Sequence, residues 1–169
     1  LNDEETTSSD MRKMVEDLNA RFGSKGKAKV EGDSDGAGGL VIDYEELPSI
    51  SLKDRLSLYL AADVFLLTSI REGLNLMPLE YIYARKNLDH AGVVICSEFS
   101  TCASLLNGSL TVNPFYALEC ADSLDKALQM GGKEANKRRA RDLSFVSSHP
   151  SALWTKTILG DLKHLDEKR

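Results

Sequence analysis

The sequence predicts an α/β fold: a doubly wound, parallel, Rossmann-like sheet. Two observations point to it. Apolar runs of strand length alternate with longer segments of helical spacing, and the middle runs lack polar alternation, as strands covered on both faces do. Alternation of this kind builds a parallel sheet with crossover helices, whose ligands bind beyond the carboxyl ends of the strands.

The acidic opening, residues 1–10, is expected to fray. From there Met11, Met14, Val15, Leu18 and Phe22 form one helical stripe, which Gly23 ends. Residues 24–39 read as a flexible surface loop from their Gly, Ser and Lys content. A calcium loop starting at Asp33 would place Gly38 well, but Ala37 and Tyr44 then stand where oxygen ligands are needed. A phosphate-cradling loop would need a Gly-Lys-Ser/Thr ending or a strand directly before the glycines, and has neither.

Leu40-Val-Ile-Asp-Tyr44 is the first expected strand. Leu52, Leu56, Tyr59 and Leu60 mark a helix, with Ser51 and Asp54 spaced for a near capping box. Further strands are expected at 63–68, 92–97 and 109–113. Helices are expected over 75–86, 100–106, 117–130 and 132–147. A last helix begins near Pro150, with Trp154, Ile158, Leu162 and Leu165 on one face and Trp154 as its packing anchor.

The 169 residues suit one domain, with 42% apolar residues and a net charge of −5. That charge speaks against nucleic acid as a partner, since no broad basic face is available. The local cluster Lys133, Lys137, Arg138, Arg139 and Arg141, interleaved with Glu134 and Asp142, reads as a solvated helix face. No apolar run reaches the roughly 18–20 residues of a membrane span, and the N-terminus has no signal-peptide pattern. The absence of an initiating Met suggests a chain cut from a longer one. Cys96, Cys102 and Cys120 lie in apolar surroundings and read as reduced core residues of a cytoplasmic protein. Asn107-Gly-Ser109 matches a glycosylation sequon but reads better as a turn.

The chemistry is expected after the strand ending at Thr68, in Ser69-Ile-Arg-Glu-Gly-Leu-Asn-Leu-Met-Pro-Leu-Glu80. Gly73 would permit a tight turn and close backbone approach. The amides of Asn75 and Leu76, at the start of the next helix, would offer hydrogen bonds and the positive end of its dipole to an anion. Pro78 is compatible with a first helical turn. Glu80 lies about 7.5 Å further along the axis, a plausible reach from a diphosphate to a ribose diol. Glu72, on the loop, could meet sugar hydroxyls. On spacing alone, Glu72 and Glu80 read rather as solvated charges flanking a routine strand–helix turn.

A family resemblance narrows the choice. Arg71-Glu-Gly-Leu-Asn-Leu-Met-Pro-Leu-Glu-Tyr-Ile82 resembles the Arg-Asp-Gly-Met-Asn-Leu-x-x-x-Glu-Tyr/Phe segment of trehalose-6-phosphate synthases. Leu58-Tyr-Leu-Ala-Ala-Asp-Val64, Gly92-Val-Val-Ile-Cys-Ser-Glu-Phe99, Asn107-Gly-Ser-Leu-Thr-Val-Asn-Pro114 and Leu18-Asn-Ala-Arg-Phe-Gly23 are similar to further family segments, in order. Together they cover about residues 10–165.

The resemblance implies a retaining glycosyltransferase of the GT-B fold: two Rossmann-like domains with the active site between them, this chain being the C-terminal, donor-binding one. Residues 1–148 would form that domain. Residues 149–169 would be a helix crossing back to an N-terminal domain that carries the acceptor residues and the Arg/Lys pair for the diphosphate. The implied activity of the full-length protein is transfer of glucose from UDP-glucose to glucose-6-phosphate, in trehalose biosynthesis, with no metal or other cofactor. Glu72, Gly73, Leu74 and Asn75 would meet the donor sugar, and Asn75 and Leu76 the diphosphate. Glu80 would bind the ribose and Ile50 the uracil. No complete catalytic set is implied within these residues. Glu72 stands where the family has Asp, and Pro78 together with Phe145-Val-Ser-Ser-His-Pro…Trp154 is more similar to synthase-like domains fused to a phosphatase-like domain. That branch implies an alternative role, a catalytically weak or inactive regulatory domain that binds a nucleotide sugar or a protein partner. Neither His90, His149 and His164, which lack metal-ligand spacing, nor the cysteines, which lack a placed base, suggest separate chemistry.

Overall fold

The computed structural model describes residues 2–23 and 40–166. The expected loop 24–39, with the rejected calcium and phosphate motifs in it, lies outside the described residues. The chain divides into two compact units, Leu1–Ile50 and Ser51–Arg169.

In the first unit, α1 runs from Asn2 to Phe22. From Asn2 on, the opening stretch is therefore helical, not frayed. The amide of Gly23 closes the last turn on the Asn19 carbonyl at 2.8 Å. The expected strand at Leu40–Tyr44 is absent. Asn19 holds that segment instead: its Oδ1 accepts from the amides of Val41 and Ile42, each at 2.9 Å, and its Nδ2 donates to the Ile42 carbonyl at 2.7 Å. One side chain thus takes the backbone groups that a neighbouring strand would have engaged. Glu46 accepts from Ser8 and pairs with Arg12 at 3.0 Å, and these two contacts hold its carboxyl below the usual range.

The second unit is a three-layer α/β arrangement, of the class expected. α2 (Leu52–Ala61) leads into β1 (Val64–Leu67), α3 (Met77–Ala84), β2 (Val93–Ser97), α4 (Thr101–Leu105) and β3 (Leu110–Val112). α5 (Ala117–Leu128), α6 (Gly132–Ser148) and α7 (Ser151–Asp166) follow. Ser51 caps α2, its Oγ accepting from the Asp54 amide at 3.1 Å. The sheet is parallel in the order β1-β2-β3, with Val64 opposite Val93 and Ile95 opposite Leu110.

Alternate residues of β2 feed two cores. Val94 and Cys96 pack with Tyr59, Tyr81, Ile82, Cys102 and Leu106 beneath α2, α3 and α4. Val93 and Ile95 pack with Val112, Ala127 and Ala135 beneath α5 and the start of α6. All of β2 is buried, as its continuous apolar run predicts; β1 is less covered, with Leu66 exposed. The rings of Tyr59, Phe65 and Tyr81 form a triangle with centroids 5.3–6.0 Å apart.

Arginines brace the end of the unit where β2 and β3 begin. Arg85, at the end of α3 and 3% exposed, donates to the carbonyls of Tyr59, Leu60 and His90. Arg139 of α6 donates in turn to the carbonyls of Arg85 and Leu88. Asp142, buried, accepts from the Gly108 amide at 2.6 Å. The basic cluster of α6 is thus only partly a solvated face: Lys133, Lys137 and Arg141 are exposed, whereas Arg138 and Arg139 are half-buried bridges. α7 is exposed over residues 151–165, and Trp154, expected as a packing anchor, is 68% exposed. No described helix is long and apolar enough to cross a membrane.

Candidate functional site

The same local device recurs at the entry to α3 and at the carboxyl ends of β2 and β3. A side-chain oxygen accepts from the backbone amide two residues on: Asn75 from Met77 at 2.9 Å, Ser97 from Phe99 at 3.2 Å, and Asn113 from Phe115 at 3.0 Å. These bonds shape the connections that lead away from the sheet edge where the fold class places ligands.

Asn75 is the hub of the first connection. Besides accepting from Met77, it donates Nδ2–H to Glu72 Oε1 at 2.7 Å, and its carbonyl accepts from the Cys102 thiol at 3.1 Å. Glu72 Oε2 accepts from Ser69 Oγ at 2.7 Å, so each carboxylate oxygen has one donor from the turn. Among the described residues, no hydrogen bond within the protein engages the amides of Asn75 or Leu76. The Met77 amide is taken by Asn75 and Pro78 has none, so the open amides at this entry are those of Leu76, the N-cap residue, and of Asn75 just before it. Open amides at a helix start are the kind of donor that an anion can use together with the helix dipole. A Cβ built on Gly73 would meet nothing within 4 Å, and its backbone is not left-handed. The turn itself therefore does not require glycine; what Gly73 leaves is open space above the backbone.

Glu80 lies one turn into α3 and engages α2. Its Oε1 accepts from Arg55 Nη2 at 3.3 Å and its Oε2 from the Tyr59 hydroxyl at 3.3 Å, with Arg55 Nε 3.1 Å from Oε2. Burial, and then the Glu80 charge, push the Tyr59 phenol up to about 12. Cys96 is pushed up to about 12 by burial and Cys102 is also raised by burial, so both remain thiols.

Of the residues singled out from sequence, Glu72, Gly73, Leu74, Asn75 and Leu76 share this turn, while Glu80 faces the flank of α2. Ile50 is half-buried and ends the other unit. Ser69, Arg55, Tyr59 and Cys102 were not singled out for the site. Ser69 stands three residues before Glu72, a spacing that could have flagged it; the others are brought in by helix packing. No group of three or more His, Cys, Asp or Glu among the described residues could hold a metal ion.

The model of glycosyltransferase family 20 matches residues 2–164. The chain belongs to that family. A relative from Dictyostelium discoideum, alpha,alpha-trehalose-phosphate synthase [UDP-forming] B, is 36% identical over 127 residues, which is 75% of this chain and 15% of the relative. An alpha,alpha-trehalose-phosphate synthase (UDP-forming) from Burkholderia vietnamiensis superposes with a TM-score of 0.84 over 99% of this chain and 34% of its own; at 23% identity this is a likeness of fold. An E. coli trehalose-6-phosphate protein bound with UDP-2-fluoro glucose superposes with a TM-score of 0.77 at 27% identity, over 94% of this chain and 32% of its own. This family 20 chain therefore spans between 15% and 34% of each of these proteins. Their GT-B-type α/β fold is the one seen here.

Proposed function

We propose that this chain is the UDP-glucose-binding part of a trehalose-6-phosphate synthase. In the full-length protein it would serve glucose transfer from UDP-glucose to glucose-6-phosphate with retention. Glu72 and the Gly73–Asn75 backbone take the donor sugar, Asn75 and Leu76 the diphosphate, and Glu80 the ribose. Ile50 takes the uracil. No metal or other cofactor enters this reading: the dipole and open amides of α3 stabilise the departing UDP, together with cations supplied by an N-terminal domain. The compartment that goes with it is the cytoplasm, where Cys96, Cys102 and Cys120 stay reduced. α7 is the element that would meet the N-terminal domain, and a fused phosphatase-like domain is a further neighbour under the same reading.

The observation that supports the reading is the turn itself. Two open amides at the start of α3 lie beside an acid whose carboxylate Ser69 and Asn75 already orient. Calorimetric titration with UDP and UDP-glucose, up to about 1 mM to allow for weak binding, tests it. Binding that weakens on Glu80→Ala is expected, and absence of binding at that concentration overturns the reading.

One feature favours the second role, a weak or inactive regulatory domain. Glu72 replaces the family's Asp, and both its oxygens are already engaged within the turn, so donor hydroxyls must share or displace those bonds. Turnover by the full-length protein that is lost on Glu72→Ala decides for catalysis; nucleotide-sugar binding without turnover decides for regulation.

A further inference from the structure

Arg55 and Tyr59 stand four residues apart on one face of α2, and both reach the same carboxylate in the first turn of α3. Tyr59 is fixed: it is 4% exposed and its ring packs edge-on against Phe65 and Tyr81. The side chains of Arg55 and Glu80 are 27% and 34% exposed, so solvent reaches both. An ion pair this exposed contributes little to stability. Its effect is on geometry.

Counting donors shows what the pair leaves open. Each oxygen of an ionised carboxylate has about two acceptor directions. Arg55 Nη2 occupies one on Oε1 and the Tyr59 hydroxyl one on Oε2; Arg55 Nε lies 3.1 Å from Oε2 without hydrogen-bond alignment. One direction therefore remains on each oxygen. A vicinal diol carries two donors side by side and matches that remainder, one hydroxyl to each oxygen, without displacing either partner.

Resting on the proposed reading of Glu80 as the ribose acid, we propose that Arg55 is a positioning residue that, with Tyr59, holds the Glu80 carboxylate oriented for a nucleotide's ribose diol. Arg55 does not touch the ribose. It fixes the acid between two packed helices, which orients it better than a mobile side chain could be oriented.

The test is the ratio of affinities for UDP and 2′-deoxy-UDP, titrated into the 169-residue chain. A hydrogen bond to a charged group favours UDP by about tenfold or more. Arg55→Ala is expected to cut that ratio about fivefold, with 2′-deoxy-UDP, which keeps its 3′-hydroxyl, weakened less than UDP; Arg55→Lys recovers part of the ratio. An unchanged ratio in Arg55→Ala overturns the positioning role and leaves the ribose assignment of Glu80 standing. A ratio near one in the unsubstituted chain overturns the ribose assignment, and the positioning role with it. Should Arg55→Ala not fold, as judged by circular dichroism, Arg55→Gln and Tyr59→Phe read the same ratio; no change in either overturns the proposal.

Discussion

The two ends of the sheet in the second unit are built on opposite principles, and their glycines show it most directly. At the start of β2, a Cβ on Gly92 would run into the Tyr81 hydroxyl and lie 2.8 Å from Arg85 Nε; at the start of β3, one on Gly108 would lie 2.6 Å from Asp142 Oδ2. At the other end, a Cβ on Gly73 would meet nothing. The starting end is closely packed around no more than a water-sized cavity, and its carbonyls are capped by Arg85 and Arg139, whereas the finishing end leaves amides and space unused. Close packing lies where no ligand is expected, and the open donors lie where one is.

Arg85→Ala should be the most damaging way to break this contrast. It removes the donors to three carbonyls, and stranding such groups away from water costs about 3 kcal/mol or more. Urea unfolding reads the loss, and a change below about 1 kcal/mol would show that water replaces the guanidinium readily.

Gly92→Ala comes next, at about 1–3 kcal/mol of overpacking, because Tyr81 and Arg85 are both buried and cannot withdraw cheaply. A neutral result in the same melts would mean the brace is looser than its packing suggests.

Asp142 gives a smaller, pH-dependent effect. Burial raises its carboxyl above the ordinary value of 3.8, against the lowering pull of the Gly108 amide and of Arg141 and Arg138. The folded state therefore takes up the proton first as pH falls, so stability rises as pH drops through the raised value and levels off below the unfolded one. Asp142→Asn can still accept from Gly108 but does not titrate. Relative to the variant, the unsubstituted chain should gain stability on acidification; a constant difference across that range would place the titration elsewhere.

Gly73→Ala should have the smallest effect on stability, within about 0.5 kcal/mol, while filling the space over the turn and weakening UDP-glucose binding. If melting and binding both stay unchanged, the space above Gly73 is not where the donor lies.

Local features of the fold were legible in the sequence. Ser51 and Asp54 fixed the start of α2 because a cap is a matter of neighbouring residues. The run from Val93 to Ser97 announced a buried strand because every residue in it tolerates burial. The same logic failed at Leu40–Tyr44, where an apolar run alone cannot say whether a neighbouring strand exists to pair with; a side chain on α1 took the backbone groups instead. It also misjudged α6, because whether an arginine is solvated depends on which carbonyls packing brings beneath it.

For the site, the sequence by itself determined the turn from Ser69 to Leu76 with its Glu72, and the helix that opens at Met77 with its Pro78 and Glu80. Those depend on contacts within a few residues, which spacing encodes. Only the tertiary structure decided that Arg55 and Tyr59 meet Glu80 and that Cys102 meets Asn75, pairs separated by 25, 21 and 27 residues. Such pairs form when helices pack on a shared sheet, and no local pattern records which faces will meet.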